Sequence, residues 1–152
     1  MPPDTDDFEQ QVAPLLAEME ASANAHDTDR HLAAYCKDSA LIFVINGEVI
    51  RGWDALRERQ RQWWKGGKAE GVYAYRGKPV FERLGKDLGL TTHVIAARAS
   101  LPGGEAHERQ LAFTALWRRR PEGWRIAYAH ESCTQSSPST STGHSPVVLR
   151  RT

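Results

Sequence analysis

Phe8, Val12, Leu15, Leu16, Met19 and Ala23 recur at helical spacing and predict a first helix. Asp4 to Asp7 place negative charge at its start, where the helix dipole favours it. Pro14 falls inside the pattern and predicts a kink or a late start. Asp27 and Thr28 can cap a short second helix running through Leu32 to about Tyr35. Residues 40–45 are strand-like, and Asn46-Gly47 is a strong hairpin signal leading into 48–51. Trp53, Leu56, Gln60, Trp63 and Trp64 predict a third helix, closed by Gly66-Gly67. At that spacing only one of Trp63 and Trp64 is expected to face inward. The remainder predicts a meander of four strands at about 72–83, 90–100, 105–119 and 124–133, with turns at 85–89, 101–104 and 121–123. Helices first and strands afterwards give an α+β layer architecture.

The last of these strands alternates with period two. Trp124, Ile126, Tyr128, His130 and Ser132 are expected on one covered face, with Arg125, Ala127, Ala129 and Glu131 on the other. An imidazole and a hydroxyl ending an apolar face need partners, because burying polar groups unpaired is costly. A pocket is the expected reason.

The 152 residues suit one domain, large enough to bury roughly 70% of the unfolded chain's surface. A hydrophobic content of 40% and a net charge of +1 give no global pull toward nucleic acid or acidic lipid. The run Arg118 to Arg120 reads as a solvated hairpin end. The acidic start has no signal-peptide core, and 41–45 is far too short to span a membrane, so a soluble cytoplasmic protein is expected. Cys36 and Cys133 form no disulfide framework. His93, His107 and His130 have no metal-ligand spacing, and no metal is expected. From Thr134 onward a Ser/Thr/Pro-rich composition predicts a disordered tail, so the domain is expected to span 1–133 and the tail 134–152.

Several motifs resemble the nuclear transport factor 2-like superfamily, in particular its SnoaL-like and kinase II association-domain-like branch. They are Asn24-Ala-His-Asp27, the stretch 47–53 reading Gly-Glu-Val-Ile-Arg-Gly-Trp, Thr114-Ala-Leu-Trp117, and above all 123–132, reading Gly-Trp-Arg-Ile-Ala-Tyr-Ala-His-Glu-Ser. The resemblance spans about residues 7–133. It implies a cone-shaped α+β roll, in which a curved antiparallel sheet and three N-terminal helices enclose a pocket, as in the ketosteroid isomerase-like fold. It also implies a homodimer through the outer sheet face, with Ala127 and Ala129 on that convex side. This fold hosts isomerases, dehydratases, binding modules and association domains, so it does not fix the function.

Carboxylate marks of the family's isomerase and cyclase mechanisms are missing where they are expected: residues 40–45 hold none, and no aspartate follows Asp87. The expected site is therefore His130 and Arg98 as catalytic groups, with Trp63, Tyr73, Thr114, Tyr128 and Ser132 contacting a ligand. An arginine fork pairs with carboxylate or phosphate, and a histidine transfers protons near neutral pH. The resemblance places an arginine matching Arg98 inside the pocket. Other readings are open: His130 as a core histidine bonded to Ser132 or Thr114, and Arg98 paired with Glu108. Two functions follow. One is a small-molecule pocket with cofactor-free isomerase or lyase chemistry on an apolar ligand with an acidic or carbonyl end. The other is a non-catalytic dimeric binding or association module. Neither calls for nucleic acid or a membrane as partner.

Overall fold

A computed structural model of the chain describes residues 5–100, 104 and 106–134. Its elements are α1 (Thr5–Asn24), α2 (Thr28–Leu32), β1 (Ile42–Ile45), β2 (Glu48–Arg51), α3 (Trp53–Trp63), β3 (Val72–Gly85), β4 (Leu88–Ser100), β5 (Ala106–Arg120) and β6 (Gly123–Cys133). Helix α1 runs through Pro14 without a break. The Asp27 side chain accepts from the Arg30 N–H and caps α2, as the sequence suggests. The 135–152 segment, expected as a tail, lies outside the described residues.

Six strands form one sheet in the order β2-β1-β6-β5-β4-β3. Strands β3 to β6 make the expected antiparallel meander, but β1 joins β6 in parallel. The long strands coil, and the helices lie across the concave side. Phe8, Val12, Leu16 and Met19 of α1 pack there with Trp117, Trp124 and Ile126. Indole N–H groups in this core are satisfied: Trp117 donates to Thr91 Oγ1 at 2.9 Å and Trp124 to Gln11 Oε1 at 3.0 Å.

One irregularity in β6 sets the architecture of the open end. The 121–122 turn pairs Arg120 with Gly123, and the ladder runs regularly to Trp117 opposite Ile126. Leu116 then pairs with Tyr128, leaving Ala127 as an extra residue, a β-bulge. The bulge falls where β6 changes its other neighbour. Ile126 exchanges backbone hydrogen bonds with Ala34 and Cys36, whereas Tyr128 onward pairs with β1. Beyond it the alternation is inverted. Ala129 is fully buried in the core while Tyr128 and His130 are exposed, opposite to the sequence expectation for the strand's end. Uninterrupted pairing would have set the Tyr128 ring opposite Ala115. The small Ala129 stands there instead, and Glu131, two residues on, reaches the cavity side of the sheet.

Candidate functional site

A cavity of about 390 Å³ lies between the concave face of the sheet and the helical side of the molecule. Its sheet side is built in rows of cross-strand neighbours. Arg109, Ala97 and Tyr73 lie nearest the ends of the strands. Next come Cys133, Leu111, Ile95 and Tyr75, and then Glu131, Phe113 and His93. That last row is the floor of the cavity, and beneath it lie Ala129, Ala115 and Thr91, all three fully buried. From the helical side Met19, His31, Tyr35, Gln60, Trp63 and Trp64 complete the wall.

Glu131 is the carboxyl in the deepest lining row. Burial pushes its pKa up to about 7, and the nearby Arg109 charge opposes only part of that rise. Two phenols feel its charge. Tyr35 is raised well above the ordinary tyrosine value by burial, and Glu131 adds to the rise. Tyr73 is raised by burial too, against a lowering hydrogen bond from Trp64. The Trp64 Nε1–H donates to the Tyr73 hydroxyl at 2.9 Å, which leaves the phenolic proton for another acceptor. Tyr73 itself is positioned by Asn24 at the end of α1, whose amide donates to the Tyr73 carbonyl at 2.9 Å and accepts from its N–H at 2.7 Å. The sequence signal at 24–27 is thus a clamp between α1 and β3.

Two histidines line the cavity, and burial pushes each down to about 4, so both are neutral at physiological pH. His31 Nδ1 lies 3.0 Å from the Met19 carbonyl, an acceptor, so this nitrogen carries the proton and Nε2 is left as an acceptor. His93 is only 4% exposed, flanked by Tyr75 and Phe113. Among the described residues no group reaches either of its ring nitrogens.

Of the residues singled out in the sequence, Trp63 and Tyr73 line the cavity. Trp64 does as well, contrary to the expectation that only one of the pair turns inward. Helix α3 ends at Trp63, so Trp64 leaves it at φ −98° and ψ 10° and is free of helical phasing. The others are elsewhere. His130, Tyr128 and Ser132 lie on the convex face, carried there by the bulge, and Thr114 of β5 lies there by the regular alternation of Phe113, Ala115 and Trp117 inward. Arg98 is on the same convex face, its side chain 63% exposed, with Nε 3.6 Å from Glu108. Ala129 is in the core rather than on the convex side. The groups the sequence reading passed over are Glu131, Arg109, Tyr35, His31 and His93. A signal for Glu131 existed in Ala129, a small apolar residue two positions earlier on the same face.

A SnoaL-like domain model matches residues 12–136. No curated protein matches the chain. Solved structures share the fold at low identity. A nuclear transport factor 2-like protein of unknown function from Shewanella oneidensis is 19% identical with a TM-score of 0.71, over 81% of this chain and 97% of its own. The association domain of C. elegans CaMKII is 18% identical with a TM-score of 0.68, over 84% and 97%. A ketosteroid isomerase-like protein from Erwinia carotovora atroseptica is 15% identical with a TM-score of 0.66, over 83% and 95%.

Proposed function

The chain belongs to the SnoaL-like family, and we propose that its cavity binds a small molecule and moves a proton on it without a cofactor, with Glu131 as the acid or base. The observation that carries this reading is the Glu131 carboxyl, half-buried in the cavity wall beside Phe113, where desolvation pushes its pKa up to about 7. A group titrating near the working pH is both a competent base and a competent acid. Ionised, Glu131 takes a proton from a carbon next to a carbonyl. Tyr35 and Tyr73, whose phenols keep their protons well above neutral pH, are the donors available to the oxygen on which charge develops. Returning the proton to a different carbon is an isomerisation, and loss of a neighbouring hydroxyl is a dehydration. Trp63, Trp64 and Phe43 supply an apolar wall for the rest of the ligand.

The test is exchange of protons for deuterium. A panel of cyclic ketones is incubated with the protein in D₂O and followed by proton NMR. Wild type accelerates exchange next to the carbonyl, and Glu131→Gln loses that acceleration while keeping its fold. Equal rates in both proteins contradict the reading.

An association role is favoured by a separate feature, the convex face. Ile42, Tyr128, Leu116 and Leu90 form one cross-strand row, and Val44, His130, Thr114, Thr92 and Val80 the next. Val80 is 63% exposed and Tyr128 41%. Large exposed apolar groups gathered on one face fit contact with a second copy. Analytical ultracentrifugation checks this: wild type sediments as a dimer and Tyr128→Arg as a monomer.

A further inference from the structure

We infer that His93 is a ligand-binding residue, and that its ligand is an uncharged flat ring with oxygens on two opposite edges, lying over Phe113 between Glu131 and His93. The inference rests on the reading that the cavity is the binding site, and it adds which ligand class the floor accepts.

The placement comes from the ladder. Phe113 pairs with Glu131 on one side and with His93 on the other. Neighbouring strands are about 4.8 Å apart, so Glu131 and His93 start about 10 Å from each other across the floor. The two side chains therefore stand on either side of Phe113 in one row of the cavity lining.

The unsatisfied imidazole supplies the second part. His93 is almost fully enclosed, yet among the described residues no protein group reaches Nδ1 or Nε2. Its ring neighbours are aromatic and tilted against it: Tyr75 with centroids 4.3 Å apart and Phe113 at 5.4 Å. Buried polar groups without partners are rare because each costs free energy. A phenylalanine would serve packing at that position without the cost. What the imidazole adds is one donor and one acceptor without a protein partner among the described residues, in a side chain that lines the cavity.

Charge narrows the ligand. Burial keeps His93 neutral, so it offers hydrogen bonds and no positive charge. Its neighbour in the row, Glu131, repels an anion once it ionises. The cation lining the cavity, Arg109, lies two rows away near the strand ends. An anionic group is thus disfavoured on the floor, whereas a hydroxyl or carbonyl finds a partner at either edge.

The test uses 4-hydroxyacetophenone and 6-hydroxy-1-tetralone as probes, with acetophenone and 1-tetralone as counterparts lacking the second oxygen. Long-range ¹⁵N–¹H spectra of wild type report the imidazole nitrogens directly. The expected result is a shift of one His93 ring nitrogen on adding either probe. Each probe should bind about three- to tenfold tighter than its counterpart, the worth of one neutral hydrogen bond. In His93→Phe that preference disappears, and the melting temperature of the ligand-free protein rises. If the probes perturb Trp63 and Phe113 while the His93 nitrogens stay still, the inference fails and the cavity reading stands. If neither probe binds wild type, both fall.

Discussion

Trp124 and Glu131 face the same side of β6 although they are seven residues apart, an odd separation that places residues of a regular strand on opposite faces. The bulge at Ala127 is the cause. It hands the cavity a glutamate where an unbroken ladder from the 121–122 turn would have set His130 opposite Phe113. The chemistry available to the site therefore turns on one unpaired residue.

It follows that His130→Ala leaves the cavity untouched. His130 is exposed on the convex face with Thr114 and Val44 as its ladder neighbours. The expected change in unfolding free energy is within about 0.5 kcal/mol, as for exposed positions generally. Urea denaturation checks this, and deuterium exchange of the cyclic ketones should proceed at the wild-type rate.

Glu131 makes stability fall as pH rises. Its folded pKa, about 7, is above the 4.5 of an ordinary glutamate. Between those values the folded state holds the proton and the unfolded state has lost it, so stability declines across that window. Glu131→Gln removes the decline, and above pH 7 it should be the more stable protein by roughly 3 kcal/mol. Urea midpoints of both proteins at pH 5 and pH 8 measure the difference.

The two cavity histidines act in the opposite sense. Both are pushed down to about 4, so below the ordinary 6.5 the unfolded chain binds protons that the folded one refuses. The stability they contribute is complete above 6.5 and is lost as the pH falls toward 4. His93→Phe should flatten that acid limb, and thermal melts every half unit from pH 4 to 7 follow it. An unchanged slope would mean that His93 protonates freely in the folded protein.

Gly89 tests the tightness of the core. A Cβ built there would sit 2.4 Å from the Phe8 ring, which is fully buried between Phe81 and Trp124. Gly89→Ala gains about 0.4–1 kcal/mol from a less free unfolded chain. Overpacking costs about 1–3 kcal/mol, so the net effect is destabilising and is read as a lower urea midpoint.

Much of the fold was legible in the sequence. Helical spacing located α1, Asp27 marked the start of α2, Asn46-Gly47 the first hairpin, and turn residues separated the four long strands. These signals are local, written in residues a few positions apart. The parallel docking of β1 on β6 was not legible, because it depends on contacts about 85 positions apart in the chain. The site was legible only in part. Tyr73 and Trp63, marked by their residue types, do line the cavity, but period-two reasoning cannot see a bulge. Every face assignment in β6 beyond Ala127 was therefore inverted. That inversion drew attention to His130 and Ser132 and away from Glu131. His93 carries no sequence mark beyond an imidazole without metal-ligand spacing, so its place in the cavity is not legible.

Proton transfer in the cavity depends most directly on the ionisation of Glu131. A ¹³C-detected NMR titration of the glutamate side-chain carboxyls, with Glu131 assigned by its absence in Glu131→Gln, measures it. The expected midpoint for Glu131 is about 7. A midpoint near 4.5 would contradict it, since such a carboxyl would be fully ionised at neutral pH and unfit to exchange a proton with a ligand there.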